Sequence, residues 1–410
     1  MLAARQGIFV CALSLLTLGV VMVASAGMRI VPATAEAPVA SPEGFGVQSL
    51  LGGRNAVFAG IAIAAMLFAW SLPRWLAVRL STPRPDRVVA VSIVGVAACL
   101  VLLGSVYIGG LSREMNASHR WIEVTLPAVG TLSIQPSELV KWGLVGLLAW
   151  AGASAGPLLA RFWTGFLPAF AALGLVAGVI MLEDLGTAVL IAGVGSLVLL
   201  AAGAKLTHAA WVAPLGLAAV VPALIFVPYR MARLTAFVDP YADPAGTGFH
   251  MIQSMGAVAG GEGAGRGLGH GLQKFGYLPE DTTDFIFAII CEELGIPGAL
   301  LVLSLYAALL ACLWVVLGRA ENPIHRLFVL GVMATIGLQA SINLLVVTGL
   351  APTKGIALPL ISKGGTGWIL TAFSLGLVAA IDRHADEQRA SEPENDEDPY
   401  EGAYAAGLPA

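Results

Sequence analysis

Long apolar runs, interrupted by short polar stretches or by glycine and proline, recur along nearly the whole chain. Read with their breakers, they predict helices near 7–27, 55–72, 88–109, 137–155, 163–182, 186–203, 207–228, 284–317, 326–348 and 366–382. Most of them approach or exceed the roughly 20 residues an α-helix needs to cross about 30 Å of hydrocarbon. Backbone polar groups in lipid must be satisfied within their own segment, so such runs are helices rather than extended chain. The expected fold is therefore all-α and integral to a membrane, with about ten transmembrane helices. The longest connection, 229–283, is expected as an extracytoplasmic loop between spans seven and eight, folded back on the bundle. The polytopic domain should cover 1–383, and the acidic, apolar-poor remainder, 384–410, should be a disordered cytoplasmic tail. The first run ends in small residues as a signal peptide does, but its length and the many spans behind it favour a retained helix.

Composition narrows the class. Of 410 residues, 57% are hydrophobic and 12% charged, against roughly 25% charged in soluble domains, which excludes an ordinary soluble enzyme. The net charge of -4 is small, with much of the acid in the terminal EPENDEDPYE, and nucleic acid is not an expected partner. Cys11, Cys99, Cys291 and Cys312 lie in apolar runs without metal or disulfide spacing and read as packing residues.

Sidedness comes from the cations. An even number of spans puts both termini on one face, and PRWLAVRLSTPRPDR, with Arg74, Arg79, Arg84 and Arg87, marks that face as cytoplasmic. Over the whole chain, however, Lys and Arg divide about evenly between the faces. The outer-face cations are Arg29, Arg54, Arg113, Arg120, Lys141, Arg230, Arg233, Arg266, Lys274, Lys354 and Lys363. Most lie in glycine-, proline- or carboxylate-rich stretches. Snorkelling at the interface is one explanation; an anionic ligand on that face is the other.

Four outer-face segments carry candidate chemistry. NASHRWIEV places Arg120 beside Trp121, a pair suited either to an aromatic belt or to a site. QPSELVK starts a helix at Pro136 and sets Glu138 and Lys141 on one helical face, as a structural ion pair or a functional one. In the long loop, Gly265–Gly271 has no strand before it, which excludes a dinucleotide fold, and its glycines suit close backbone approach to a ligand. Beyond it, Asp284 stands at the mouth of the next helix as a general base for a sugar hydroxyl, or else as a helix cap competing with Thr283. GLAPTKGIALPLISKGGTGW, broken by Pro352, Pro359, Gly364 and Gly365, reads as a re-entrant, cavity-lining segment.

Taken together, QPSELVK, GGEGAGRGLGHGLQKFGYLPEDTTDFIFAIICEELG and LAPTKGIALPLISKGGT resemble the SEDS family, the shape, elongation, division and sporulation proteins. The likeness covers essentially every span, and the last segment is most similar to the FtsW-like branch. It implies a peptidoglycan glycosyltransferase that polymerises lipid II onto a nascent glycan strand during cell division and releases undecaprenyl diphosphate. The implied location is the bacterial cytoplasmic membrane, with both termini cytoplasmic. The implied partners are a class B penicillin-binding transpeptidase and other divisome proteins. By the same resemblance Asp284 is the catalytic residue, and Arg120, Trp121, Glu138, Lys141, Gln253, Lys274, Glu280, Lys354 and Ser362 are expected to meet substrate. No protein metal ligands are expected, although a divalent cation, Mg2+ or Mn2+, is compatible with the diphosphate.

Several positions depart from the family pattern. His250 replaces part of an aromatic-Gln pair, Gly276 an acidic residue, LEDLG a QPDLG, Lys363 a Tyr, and Gly367 follows Thr366 where Ser-Ser is usual. An elongation-type, RodA-like polymerase is the nearest alternative. A lipid II flippase, with Glu138, Lys141, Glu292 and Glu293 lining a path, is another, as is a scaffold that has lost catalysis. Motifs crowded on one face and the lack of a clear internal repeat favour the enzyme over a transporter.

Overall fold

The computed structural model describes residues 3–28, 30–31, 41–42, 46, 50, 53–75, 79, 82–108, 112–115, 118–126 and 130–391. All ten expected runs are helical. They are α1 Ala4–Ala26, α2 Arg54–Ser71, α3 Val88–Gly104, α4 Pro136–Ala155, α5 Leu167–Glu183, α6 Leu185–Ala201, α7 Leu206–Ile225, α10 Ile286–Arg319, α11 Pro323–Val347 and α12 Gly365–Ser391. Among the described residues nine helices are long and apolar enough to cross a membrane, and α6, at 17 residues, falls just short of that length. With this many apolar helices the chain is a multi-pass membrane protein.

The long connection between α7 and α10 is not one irregular loop. It contains two further helices, α8 Pro228–Val238 and α9 Phe249–Gly260, before an irregular, glycine-rich stretch. The fold is also not purely helical, because a three-stranded antiparallel sheet, β3 Ser112–Met115, β4 Ser118–Leu126 and β5 Gly130–Ile134, joins α3 to α4. Ile122 of β4 pairs with Ile134 of β5 and Trp121 with Arg113 of β3. Residues 116 and 117 of the first candidate segment lie outside the described residues. A two-residue pair, β1 Ile30–Val31 with β2 Ser41–Pro42, follows α1.

The expected single span 284–317 is two helices that meet at a kink. Gly295 adopts φ 62, ψ -152 inside α10, and Pro297 follows it. Proline supplies no N–H to the preceding turn, and glycine tolerates the left-handed backbone there. The carbonyls this break would orphan are taken up by the glycine-rich stretch. Arg266 N–H donates to Glu292 O and Gly267 N–H to Glu293 O, both at 2.9 Å, while Ile296 N–H donates to Gly263 O at 2.9 Å. A Cβ at Gly261, Gly265 or Gly295 would collide with that facing backbone. The glycines therefore permit close approach, as expected, but to the protein's own helix rather than to a ligand.

The core lies between α1, α10, α11 and α12, with Ile8, Leu15, Leu16, Ile289 and Ile290 fully enclosed. Gly19 lets α1 close onto the 360–361 turn, where a Cβ would stand 2.7 Å from the Leu360 carbonyl oxygen. Tyr306 of α10 donates its hydroxyl to the Pro359 carbonyl from the other side. The last helix, α12, runs to Ser391, with Arg389 donating to the Arg319 carbonyl at 3.1 Å. Residues 392–410 of the expected tail lie outside the described residues.

Candidate functional site

Asp284 lies between a tight turn and α10. Phe285 is the N-cap residue of α10, with no side-chain cap, so neither Asp284 nor Thr283 fills that role. Thr283 instead donates its hydroxyl to the carboxylate of Glu280 at 2.9 Å. Glu280 is exposed and holds a left-handed backbone, φ 56, so it shapes the turn that presents Asp284.

The broken segment 349–364 is positioned from α11. Asn343 Nδ2 donates to the carbonyls of both Asp284 and Ile356, each at 2.7 Å, which ties the turn before α10 to that segment. One helical turn earlier, Gln339 Nε2 donates to the Ala357 carbonyl at 2.8 Å. Gln339 Oε1 in turn accepts from Lys141 Nζ at 2.9 Å, and Lys141 pairs with Glu138 at 2.8 Å. Lys141 is buried. The expected Glu138–Lys141 pair therefore exists, and it acts as a brace linking α4, α11 and the 356–357 backbone. Glu138 also lies near the first turn of α12, where a carboxylate is favoured by the helix dipole.

The result of this bracing is proximity. A Cβ on Gly355 would stand 3.1 Å from Asp284 Oδ2, so the carboxylate rests against bare backbone one residue from Lys354. Two arginines of α8 approach the same place. Arg230 donates to the carbonyls of Met181 at 2.8 Å, Leu182 at 3.2 Å and Ala223 at 3.1 Å, and Arg233 reaches the Thr353 carbonyl at 3.4 Å while stacking 4.4 Å from the centre of the Tyr229 ring. Lys354 is half-buried. Burial holds its ammonium below the usual lysine range, Asp184 pulls the other way, and Arg230 and Arg233 push it lower still. The Asp184 carboxylate accepts from the backbone N–H and hydroxyl of Thr187, at 3.1 and 2.8 Å. Among the described residues, none of Arg230, Arg233 and Lys354 has a carboxylate at ion-pair distance.

His250 of α9 closes the group, with its ring 6.0 Å from that of Phe285. Burial and then Arg233 lower its pKa, against Glu280. Gln253 lies one turn along α9 and is half-buried. Gln339, Asn343 and the nearness of Arg233 to Lys354 are not singled out by any motif in the sequence. The available signals were two amides four residues apart on an apolar helix, and two arginines three apart on a short amphipathic one.

Other expected ligand-facing residues are engaged elsewhere. Lys274 is wholly enclosed, 2.8 Å from Glu293 and 3.2 Å from Ser25 Oγ of α1. Ser362, 1% exposed, accepts the Leu358 N–H at 2.7 Å and closes its own turn. Trp121 is half-buried in β4, and Arg120 occupies the neighbouring strand position. The sheet reaches the same end of the bundle, because Thr366 donates its hydroxyl to the Ser133 carbonyl of β5 at 3.0 Å.

The carboxylates of a flippase path are also engaged. Glu292 accepts the N–H groups of Leu272 and Gln273, at 2.9 and 3.2 Å, and Glu293 those of Gly269 and Gly271, at 3.0 and 3.2 Å. Among the described residues no group of three or more His, Cys, Asp and Glu side chains could hold a metal ion.

The FtsW/RodA/SpoVE model, described as cell cycle protein, matches residues 5–387. Stage V sporulation protein E of Bacillus subtilis is 35% identical over 91% of this chain and 95% of its own length. A probable peptidoglycan glycosyltransferase FtsW of Halomonas elongata is 38% identical over 72% of this chain and 74% of its own. Among solved structures, a chain from a peptidoglycan synthase complex, studied for the structural coordination of polymerization and crosslinking, aligns at TM-score 0.67 and 29% identity, covering 93% of this chain and 98% of that one. Rod shape determining protein RodA of Thermus thermophilus aligns at TM-score 0.60 and 26% identity, covering 92% and 96%.

Proposed function

Because the chain belongs to the FtsW/RodA/SpoVE family of cell cycle proteins, we propose that it is a peptidoglycan glycosyltransferase that polymerises lipid II on the outer face of the bacterial cytoplasmic membrane, both termini lying in the cytoplasm. The relatives named as glycosyltransferases support this reading. The observation that carries it is that Asp284 lies against Gly355, next to a Lys354 whose charge interacts with Arg230 and Arg233, none of these three cations having a carboxylate at ion-pair distance among the described residues. Like charges repel and disfavour one another's charged forms, so an anionic ligand is the natural complement of such a group.

In the reaction, Asp284 takes the proton of the acceptor sugar hydroxyl as that oxygen attacks the anomeric carbon of the lipid-linked glycan. The bond from that carbon to the diphosphate oxygen breaks, and the electron pair leaves on undecaprenyl diphosphate. Lys354 and Arg233 face the charge that develops there, where fixed cations in a water-poor site act most strongly. A Mg2+ or Mn2+ is proposed only as a companion of the diphosphate, outside the protein's own donor set. The growing strand passes to a class B penicillin-binding transpeptidase, for which the likeness to a chain of a polymerising and crosslinking complex is the support, and the division-type relatives suggest other divisome proteins beside it.

The test is incubation of the purified protein with lipid II, alone and with its transpeptidase. Glycan polymer is expected from the wild type, and Asp284→Asn should lower its rate by about 100-fold or more. Polymer from Asp284→Asn at the wild-type rate would remove Asp284 as the base, and headgroup translocation without polymer would identify a flippase instead.

A further inference from the structure

The turn that carries Asp284 is fixed at a second point, away from Asn343. The N–H of Lys363 donates to the Thr282 carbonyl at 2.8 Å. This bond joins two tight turns, each containing a non-glycine residue in the left-handed region, Glu280 at φ 56 and Leu360 at φ 63. Such backbone persists only where the surroundings hold it. Each turn also places a charge next to the bond. Asp281 precedes Thr282 and is half-buried, while Lys363 is exposed and carries an ammonium that attracts it.

Among the described residues the charged groups facing Asp281 are Glu280, Lys363 and Lys274. Lys274 is already matched by Glu293, and Glu280 repels. Lys363 is therefore the cation whose charge is available to Asp281. Neither residue has a role in the reaction as described above.

We infer that Asp281 and Lys363 form a positioning pair for the general base, their attraction across the Thr282–Lys363 bond holding the 280–284 turn so that the Asp284 carboxylate rests on Gly355. This rests on the reading of Asp284 as the base. Burial pushes the Asp281 carboxyl up to about 6; the Thr282 backbone N–H opposes that rise, Glu280 adds to it, and Lys363 and then Lys274 oppose it further. Above that pH Asp281 is charged and the pair is intact; as pH falls through it the carboxyl takes up a proton and the attraction is lost. Asp281→Asn reproduces the protonated form at every pH.

The experiment measures lipid II polymerisation from pH 5 to 8 for the wild type, Asp281→Asn, Asp281→Glu, Lys363→Met and the Asp281→Asn/Lys363→Met double variant. Asp281→Asn is expected to lower the maximal rate at pH 7.5 by about tenfold, within the range of coupled neighbours, with the half-saturating lipid II concentration little changed. It should also abolish an inflection near pH 6. Lys363→Met should move that inflection to higher pH, the double variant should be no slower than Asp281→Asn alone, and Asp281→Glu should keep the inflection.

Retention of the inflection in Asp281→Asn, or losses that multiply in the double variant, would overturn the pair. Should Asp281→Asn fail to fold, Lys363→Met decides by the position of its inflection. A wild type that makes no polymer at any pH counts against the polymerase reading; polymer at equal rates from all five proteins counts against the pair alone.

Discussion

Two groups of cations in the segments that connect the spans look alike in sequence and behave oppositely in structure. Lys274 and Arg266 lie in a glycine-rich stretch and Lys354 in a proline-broken one, with Arg230 and Arg233 close in space. Lys274 is enclosed against Glu293 and Ser25, and Arg266 stands 3.5 Å from Glu292. The second group has guanidinium bonds to backbone carbonyls and a half-buried ammonium, with no carboxylate at ion-pair distance among the described residues. The first cluster is a rivet whose charges cancel internally; the second leaves net positive charge beside Asp284. Pairing, not residue type, separates a fastening from a group of cations left with charge to offer.

The comparison can be broken most forcefully at the rivet. Lys274→Met leaves Glu293 buried without its cation, and a loss of about 3–5 kcal/mol is expected, the usual cost of breaking one side of a buried pair. Thermal unfolding in detergent would read it. Lys274→Met with Glu293→Leu should be much less damaging than Lys274→Met alone, because no buried charge is then left unmatched.

At the second cluster stability should barely change while chemistry suffers. Lys354→Met and Arg233→Gln should each slow lipid II polymerisation about 10- to 100-fold with melting temperature little altered, by analogy with removal of a single preorganised charge donor. Melting losses as large as those of Lys274→Met would show that both clusters are fastenings. The smallest effect concerns pH. The Lys354 ammonium is held below the usual lysine range, so its charge is lost as pH rises through that lowered value, and polymerisation should fall on the alkaline side. Lys354→Arg, which stays charged, should flatten that fall; an unchanged alkaline limb would remove Lys354 from the leaving-group site.

Much of the architecture is legible from the chain because it follows from one physical demand, long apolar segments that satisfy their own backbone. Thus α1 and α11 lie where their hydropathy puts them. The helices α8 and α9 are less legible because they are short and lie between glycine and proline, and β4 because an alternating strand carries no long apolar run. The break in α10 had a signal in Gly295 and Pro297, hidden by the hydrophobicity around them.

Within the site, Asp284 and Lys354 are identifiable by motif, and the Glu138–Lys141 pair by spacing. The partners of Lys274 and Ser362 are not legible by the same means. Their motifs give the residue type, whereas their roles depend on Glu293 and on the Leu358 N–H, partners that only the fold brings to them.

The interrupted helix also bears on how the protein enters the membrane. Two adjacent carboxylates, Glu292 and Glu293, sit in an otherwise apolar segment, where a charged residue near a helix centre costs about 2.5–3.5 kcal/mol on translocon scales. The N–H groups that those carboxylates accept, of Leu272 and Gln273 for Glu292 and of Gly269 and Gly271 for Glu293, and the lysine that pairs with Glu293, all precede the segment in the chain. During synthesis the receptor for these acids is made before the acids themselves. Insertion of α10 can thus be a docking event onto a waiting partner rather than a solitary passage of charge into lipid.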